Sequence, residues 1–147
     1  MKPMHILVCC TGNTCRSPMA EAVLRKMARE QHLPLTVFSR GLAAYPGDGA
    51  MPQAVEAAAE IGEDLANHRA AALTVADVNA ADLLFVMSES HKKAIVNACP
   101  EAKDRIFVMR IPDPYGMPLA VYRKTLAEIE QYFDRFFKEQ EGWNEAD

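Results

Sequence analysis

Short runs of apolar residues alternate along the chain with longer segments in which apolar residues recur every three or four positions. The short runs are rich in Val, Ile, Leu and Phe and predict buried strands, whereas the three- and four-residue spacing predicts amphipathic helices. The predicted strands are 5–9, 35–38, 83–87 and 106–109, and the predicted helices are 18–31, 52–61, about 74–80, 89–98 and 118–138.

The alternation of strands and helices predicts an α/β fold in which helices cover both faces of a parallel sheet. With 147 residues the chain is long enough for one domain with a substantial core. We expect a single domain over 1–147, a core over about 4–138 and a frayed tail after Gln140. Ligands of such sheets bind beyond the carboxyl ends of the strands, which directs attention to the segment after the first strand.

Composition and charge indicate where the protein is located and which classes of partner are disfavoured. Half of the residues are hydrophobic, yet no apolar run approaches the roughly 20 residues that a membrane span needs. The run 5–9 near the start is too short for the core of a signal peptide, so we expect a cytoplasmic protein. The net charge of -4 argues against broad binding to nucleic acid or to anionic membranes. Four cysteines without a Cys-x-x-Cys pair suggest neither a disulfide framework nor structural zinc.

The most informative segment joins the first predicted strand to the first helix and reads Cys10-Thr11-Gly12-Asn13-Thr14-Cys15-Arg16-Ser17. Gly12 allows a tight turn and a close approach to a ligand, and Asn13 tolerates left-handed backbone. Such a turn can point successive N–H groups inward as an anion-binding nest. Ser17 is a good N-cap and Pro18 suits the first helical position, so a helix N-terminus would lie beneath the anion. We therefore predict that the segment binds phosphate.

Cys10 and Arg16 determine the chemistry predicted for this segment. Arg16 can hold two phosphate oxygens with its planar guanidinium. Backbone donors, Arg16 and the helix terminus should favour the thiolate of Cys10 at neutral pH, which makes Cys10 the candidate nucleophile for phosphoryl transfer. The alternative for Cys10 is a buried, inert cysteine at a strand end. For Ser17 two compatible roles stay open, because its hydroxyl can donate to the thiolate and can also cap the helix.

The same cysteine-to-arginine spacing recurs between Cys99 and Arg105, so the spacing alone does not identify a phosphate site. The second segment has no glycine, has a proline directly after the cysteine and carries two acidic residues that would repel phosphate. We therefore predict an ordinary connecting loop at 99–105.

Displacement of phosphate also requires an acid for the leaving group, and Asp113 is the best candidate. It lies between two prolines just after the last predicted strand, at the sheet edge where the 10–17 segment should emerge. There it would protonate the departing atom and then activate water against a phosphocysteine. An Asp-Pro pair is otherwise an ordinary turn starter. Asp48, between two glycines, has the setting of a turn residue, and Asp82 that of a strand opener, so both are weaker candidates.

Cys10 to Pro18, with the following Met19-Ala20-Glu21, resembles the signature of the low-molecular-weight protein tyrosine phosphatase family. The Asp113-Pro114-Tyr115 segment lies where that family keeps its general acid. Further segments in register are Ser39-Arg40-Gly41, Ala54-Val55 and His68-Arg69, so the resemblance covers about residues 4–138. It implies a four-stranded parallel sheet, a phosphocysteine intermediate, phosphorylated proteins as substrates, and neither metal nor cofactor.

The resemblance also implies roles for residues around the 10–17 segment. Asn13, Ser39 and His68 would form a hydrogen-bond network that holds the segment open. Cys15 corresponds to the second cysteine of the family's loop. It is either a small packing residue or a resolving thiol whose disulfide with Cys10 would protect the nucleophile from irreversible oxidation, and the two roles are compatible.

Departures from the family pattern bear on the substrate. Tyrosine-specific members usually carry a branched aliphatic residue where this chain has Thr14, and often a second aromatic where it has Gly116. A flat phenyl group would lose packing at Thr14, whereas a guanidinium has N–H donors that the hydroxyl can meet. Leaving such donors unpaired would cost roughly 1–3 kcal/mol. Thr14 and Tyr115 are therefore the predicted specificity residues, and Arg40, where the family usually has alanine, has no explanation in the sequence.

The loop sequence also resembles the bacterial protein arginine phosphatase branch of the family. Phosphoarginine in proteins is thus the favoured substrate, and Asp113 would interact with its guanidinium as well as serve the leaving nitrogen. A protein tyrosine phosphatase in which Thr14 is a neutral variant stays the alternative. A related arsenate reductase would need a closely spaced cysteine pair downstream, where only Cys99 lies. A non-catalytic module that binds phosphorylated residues would be expected to lack the nucleophile or the acid.

Overall fold

Four strands form one sheet in the computed structural model, which describes residues 2–139. They are β1 Met4–Cys10, β2 Leu35–Gly41, β3 Leu83–Val86 and β4 Ile106–Val108. All neighbouring pairs are parallel, in the spatial order β2-β1-β3-β4. The predicted parallel α/β fold is confirmed, and each strand lies within a few residues of its predicted position.

Each predicted helix is also present, with its ends moved by two residues at most. The helices are α1 Arg16–Gln31, α2 Pro52–Glu60, α3 Val75–Ala80, α4 Glu89–Ala98 and α5 Leu119–Glu139. Along residues 2–139, none of these helices combines the length and the apolar character that crossing a membrane requires. The tail that we expect to fray after Gln140 lies outside the described residues, and the single-domain assignment to 1–147 stays a prediction.

Alternate residues of β1 face two separate hydrophobic cores, because successive side chains of a strand point to opposite faces. Ile6 and Val8 pack with α1, α2 and α5, whereas Leu7 and Cys9 pack with α3 and α4. All four of these side chains are fully buried. The central strand therefore leaves no polar side chain inside either core, and its carboxyl end is held rigidly where the 10–17 loop begins.

The segment after Cys99 is not the simple connecting loop that we predicted. Residues Pro100–Arg105 form a 3-10 helix, because proline fits the first position and Ala102 is fully buried against the second core. The Arg105 guanidinium donates to the carbonyl oxygens of Ala81 at 3.1 Å and Val78 at 2.9 Å. The arginine of this second Cys-x5-Arg segment thus ties the 3-10 helix to the end of α3.

Helix α1 begins two residues earlier than predicted. Its N-cap position is Cys15, and the predicted capping role of Ser17 is wrong, since Ser17 lies inside the first turn. The Ser17 side chain is fully buried and is directed to Cys10. Pro18 is tolerated at the third helical position because the first N–H groups of a helix have no partner within it. A tertiary contact has therefore taken precedence over the local capping preference.

The chain after β4 extends toward the carboxyl ends of the central strands. Met109 N–H donates to the Val86 carbonyl at 2.8 Å, and Ile111 N–H donates to the Met87 carbonyl at 3.1 Å. Between them Arg110 has a left-handed backbone, with φ of 60°. These bonds bring the loop that contains Asp113 to the edge of the sheet where β1 ends.

Candidate active site

A pocket of about 310 Å³ opens at this edge of the sheet. One wall is the 10–17 loop, which contributes its residues 10, 11, 12, 14, 15 and 16. The loop after β2 adds Ala43, Tyr45 and Asp48, and the loop after β4 adds Asp113 and Tyr115. The structure therefore brings the predicted nucleophile, the predicted acid and both predicted specificity residues into one cavity.

The Cys10 thiol lies at the bottom of the pocket and is only 3 % exposed. Two polar groups contact its sulfur. Ser17 Oγ is 3.0 Å from Cys10 Sγ, and Asn13 N–H donates to the same sulfur at 3.3 Å. Asn13 reaches this position with a left-handed backbone, φ 58°. In the loop it is Asn13, and not Gly12, that takes the positive φ, while a Cβ at Gly12 would meet protein only at 3.6 Å.

The Asn13 amide determines the direction of the hydrogen bonds around the sulfur. Its Oδ1 accepts from Ala71 N–H at 3.1 Å, which identifies the other amide atom as the nitrogen. That Nδ2 donates to Ser17 Oγ at 2.8 Å and to Ser39 Oγ at 3.0 Å. The Ser39 hydroxyl donates to Glu21 Oε1, 2.6 Å away, and Cys10 Sγ is the partner left for the Ser17 proton among residues 2–139. Two donors thus point at the sulfur, an arrangement that favours a thiolate.

The loop is also anchored through its backbone. His68 Nε2 lies 2.7 Å from the Asn13 carbonyl oxygen, to which it must donate. Met51 N–H donates to the Thr14 carbonyl at 2.9 Å. The structure thus joins Asn13, Ser39 and His68 as the family resemblance implies, and the role of this network in keeping the loop open stays a prediction.

Gly41 lies where β2 approaches the loop most closely. A Cβ at this position would be 2.7 Å from the Thr11 carbonyl oxygen and 2.8 Å from Ala44 Cβ. The neighbouring Leu42 N–H donates to the Cys10 carbonyl at 3.0 Å. Only glycine leaves room for these backbones to lie side by side.

Arg16 links the 10–17 loop to the loop that carries Asp113. Arg16 is 6 % exposed, its Nη1 donates to the Ile111 carbonyl at 3.0 Å, and its Nη2 is 3.6 Å from Asp113 Oδ2. The Arg16 side chain also lines the pocket. A bound oxyanion would therefore meet a positive charge that is already oriented by a protein carbonyl.

Asp113 starts a turn and also faces the pocket, as its sequence suggests. Its Oδ1 accepts from Tyr115 N–H at 3.0 Å, which forms a turn of the Asx type, while Oδ2 faces Arg16. The turn closes as Met117 N–H donates to the Pro114 carbonyl at 2.9 Å, and Gly116 has a φ of 80° that suits the third position of a type II turn. The turn holds the backbone while the half-exposed carboxylate stays free to reach a ligand.

The two weaker acid candidates separate in the structure. Asp48 lines the pocket, a position that its setting between two glycines did not predict. Asp82 instead accepts from His5 N–H at 2.7 Å and is not among the lining residues.

Cys15 is buried beside the nucleophile and contacts the hydroxyl of Tyr122, with Sγ and Oη 3.4 Å apart. Burial raises the pKa of the Cys15 thiol, and burial likewise raises the pKa of Cys9 well above its ordinary range. All four cysteines are free. Cys15 packs as a small core residue, as one interpretation expects, and its role as a resolving thiol stays a prediction.

Sequence reasoning missed two contributions to the site, those of Tyr45 and His91, and it ranked Asp48 only as a weaker acid candidate. Tyr45 and Asp48 line the pocket, and the available signal for both was that their loop follows β2 at the same edge of the sheet. His91, in the first turn of α4, contacts the 10–17 loop through Thr11 Oγ1, 2.9 Å from its Nε2. No pattern in the sequence connects these two residues, which are 80 positions apart.

Arg40, unexplained by the sequence, ties β2 to α3. Its Nε donates to Asp77 Oδ2 at 3.2 Å, its Nη1 donates to the Ser39 carbonyl at 2.8 Å, and its guanidinium lies over the Phe38 ring. Asp77 in turn completes the capping box at the start of α3. Arg40 therefore has a structural role next to the loop-supporting Ser39. Among residues 2–139, no three His, Cys, Asp or Glu side chains cluster closely enough to hold a metal ion.

Comparison with known proteins adds independent information. The sequence profile of the low molecular weight phosphotyrosine protein phosphatase family matches residues 5–141. A protein-arginine-phosphatase of Bacillus subtilis is 35% identical over 145 residues, which are 92% of this chain and 96% of that protein. A probable low molecular weight protein-tyrosine-phosphatase EpsP of Ralstonia solanacearum is 40% identical over 136 residues, 88% of this chain and 90% of that one.

One solved structure bears directly on the reaction. It is a cysteine-to-serine mutant of the YwlE arginine phosphatase with a phosphorylated active site serine. It matches with a TM-score of 0.87 and 34% identity over 94% of this chain and 96% of its own. In that protein, therefore, a side chain at the mutated position accepts the phosphoryl group.

Proposed function

The chain belongs to the low molecular weight phosphotyrosine protein phosphatase family, and we propose that it removes phosphate from arginine side chains of cytoplasmic proteins through a phosphocysteine at Cys10. The observation that carries the proposal is a single pocket in which a sulfur that accepts two hydrogen bonds lies with Arg16 and Asp113. Nucleophile, oxyanion clamp and proton donor are the three groups that phosphoryl transfer to sulfur requires.

In the first step the Cys10 thiolate attacks phosphorus, and the bond between phosphorus and the arginine nitrogen breaks. Asp113 gives its proton to that nitrogen, so a new N–H bond replaces the broken phosphorus–nitrogen bond in the departing arginine side chain. Arg16 and the backbone N–H groups of the 10–17 loop stabilise the charge on the phosphoryl oxygens. The Ile111 carbonyl, which accepts from Arg16, holds the guanidinium in place for this task.

In the second step water attacks the phosphorus of the phosphocysteine, and the sulfur–phosphorus bond breaks. The Asp113 carboxylate takes a proton from the attacking water and is ready for the next cycle. Inorganic phosphate and the Cys10 thiolate are the products. The Ser17 hydroxyl and the Asn13 N–H, which donate to the sulfur, stabilise it as a leaving group here.

Preference for arginine rests on the polar character of the pocket wall. Thr14 places a hydroxyl where an aliphatic side chain would exclude N–H donors, and Asp48 and Asp113 place two carboxylates around the cavity. A guanidinium carries both positive charge and N–H donors, so it is complementary to these groups. Each N–H group left unpaired in a buried site would cost roughly 1–3 kcal/mol, enough for about tenfold discrimination.

A second candidate function is protein tyrosine phosphatase, and two aromatic residues favour it. Tyr45 and Tyr115 line the pocket and are 77% and 66% exposed, so their rings are available to pack against a phenyl group. The Ralstonia solanacearum relative carries the name of a tyrosine phosphatase. The same cysteine chemistry would serve both substrates, and only the leaving atom would differ.

The proposed reaction is tested by following covalent phosphate on the protein. With a phosphoarginine peptide, we expect intact-mass spectrometry of the acid-quenched wild type to detect one phosphate adduct, located at Cys10. Cys10→Ala should abolish both adduct and turnover, and Asp113→Asn should slow turnover by about a hundredfold. Cys99→Ala, a buried cysteine outside the pocket, is the matched control and should keep both. Turnover that persists in Cys10→Ala would show that sulfur is not the nucleophile.

A further inference from the structure

His91 is a buried titratable residue for which the reaction has no direct use. It lies in the first turn of α4, is 7% exposed, and contacts the 10–17 loop through the 2.9 Å pair between Nε2 and Thr11 Oγ1. Its other ring nitrogen, Nδ1, is buried without a hydrogen-bond partner among residues 2–139. An unpartnered polar atom so close to a pocket wall calls for an explanation.

The protonation state of His91 follows from its surroundings. Burial lowers the pKa of His91, the Arg16 guanidinium lowers it further, and Asp113 opposes the shift. The ring is therefore neutral near pH 7 and carries a single N–H. A proton on Nδ1 would be a buried donor without an acceptor, which folded proteins rarely tolerate, whereas a proton on Nε2 meets Thr11 Oγ1. The structure thus selects the tautomer in which His91 donates to Thr11.

This tautomer determines what the Thr11 hydroxyl can do. Because Thr11 Oγ1 accepts from His91, its own proton is free to be donated elsewhere. Thr11 lines the pocket but is an exposed residue, in contrast to the almost fully buried Cys10. Thr11 therefore lies at the solvent-exposed rim of the pocket, and the sulfur that would carry the phosphoryl group lies deeper.

We propose that His91 is a positioning residue that orients the Thr11 hydroxyl as a hydrogen-bond donor to a main-chain carbonyl oxygen of the substrate protein. A phosphorylated side chain that enters the pocket brings its own peptide backbone to the rim, and backbone carbonyls are the acceptors that every protein substrate carries there. Thr11 would thus distinguish a phosphorylated protein from a free phosphorylated amino acid. The inference rests on the proposed phosphatase function, since it concerns the same pocket.

The test compares two substrates that share one phosphorylated side chain, a phosphopeptide and the free phosphorylated amino acid. Thr11→Val and His91→Leu are expected to raise KM for the peptide about three- to tenfold, the range for one lost neutral hydrogen bond. KM for the free amino acid and the inhibition constant of inorganic phosphate should rise less than the peptide KM, so the ratio of the peptide KM to the free amino acid KM should increase. His91→Gln, whose amide can donate from nearly the same place as Nε2, should restore peptide binding. Together, Thr11→Val and His91→Leu should raise the peptide KM no more than one of them alone, because both remove one interaction.

Thr125→Val is the matched control for the loss of a threonine hydroxyl. That hydroxyl donates to Val121 O within α5 at 2.8 Å, and the variant should leave the peptide KM unchanged. Equal losses on the peptide, the free amino acid and inorganic phosphate would mean that His91 only supports the loop, and they would overturn the proposal. Unchanged kinetics on all three would overturn it as well. Failure of the proposed function is distinguishable, because the wild type would then turn over neither phosphorylated substrate.

Discussion

The Ser17 hydroxyl lies 3.0 Å from Cys10 Sγ, and because the Asn13 amide nitrogen donates to the same serine oxygen at 2.8 Å, the sulfur is the partner left for the serine proton among residues 2–139. The direction of this bond depends on the side-chain amide of Asn13, a residue that is fully buried. A sulfur that accepts from a hydroxyl is stabilised as the anion, which is the form that attacks phosphorus. The buried amide of Asn13 therefore contributes to nucleophile activation through Ser17.

Replacement of Ser17 with alanine should weaken the nucleophile. Hydrogen bonds to charged groups contribute about 1.5–3 kcal/mol, so kcat/KM should fall about tenfold to a hundredfold in Ser17→Ala. Alkylation of Cys10 by iodoacetamide at neutral pH, followed by mass spectrometry, should slow in parallel. Thr74→Ala, which removes the N-cap of α3 outside the pocket, is the control and should leave both rates unchanged. An unchanged alkylation rate in Ser17→Ala would contradict the assigned direction of the bond.

A methyl group at Gly41 should displace the 10–17 loop. In Gly41→Ala the new Cβ would be 2.7 Å from the Thr11 carbonyl oxygen, so one of the two backbones must move. We expect the free energy of unfolding to fall by about 1–3 kcal/mol and kcat/KM to fall at least tenfold. Denaturant unfolding and steady-state kinetics measure the two effects. In Gly49→Ala the nearest atom is 3.8 Å away, so that variant should behave like the wild type. If Gly41→Ala and Gly49→Ala had similar unfolding free energies and similar kcat/KM, the loop would have room for a methyl group at this contact, and the prediction would be wrong.

Protonation of His91 should make stability depend on pH. Because burial and Arg16 lower its pKa in the folded chain below the 6.5 of a free histidine, the unfolded chain binds more protons near pH 6. The free energy of unfolding should therefore decrease as pH falls below about 6.5. His91→Gln lacks the titrating group, so the difference between wild type and variant should shrink or reverse between about pH 7.5 and pH 5. Parallel pH profiles of the two proteins, measured by denaturant unfolding, would contradict the assignment of a neutral His91.

The chemistry of the site could be predicted where it depends on neighbours in sequence. Cys10 and Arg16 belong to one turn, and Asp113 follows a strand whose carboxyl end must meet the same edge of the sheet. Ser17 marks the limit of this reasoning, since its local preference is to cap the helix but its buried contact with Cys10 decides its position. Burial and tertiary contact are not visible in a short sequence pattern.

The contacts that sequence reasoning missed join residues that are far apart in the chain. Thr11 and His91 are 80 positions apart, and the close approach of Gly41 to the loop depends on the register of β2 beside β1. Asp48 was interpreted from its neighbouring glycines, although its loop folds over the pocket. Such contacts follow from strand order and register, and neither can be obtained from periodicity alone.

The central claim, a preference for phosphoarginine that depends on Thr14, is tested most directly by kcat/KM for two peptides that differ only in carrying phosphoarginine or phosphotyrosine. We predict that the wild type prefers phosphoarginine at least tenfold. Thr14→Ile, which replaces the hydroxyl with an aliphatic wall, should shift the ratio toward phosphotyrosine by about tenfold or more. The same ratio in wild type and variant, or a wild type that prefers phosphotyrosine, would contradict the account of specificity.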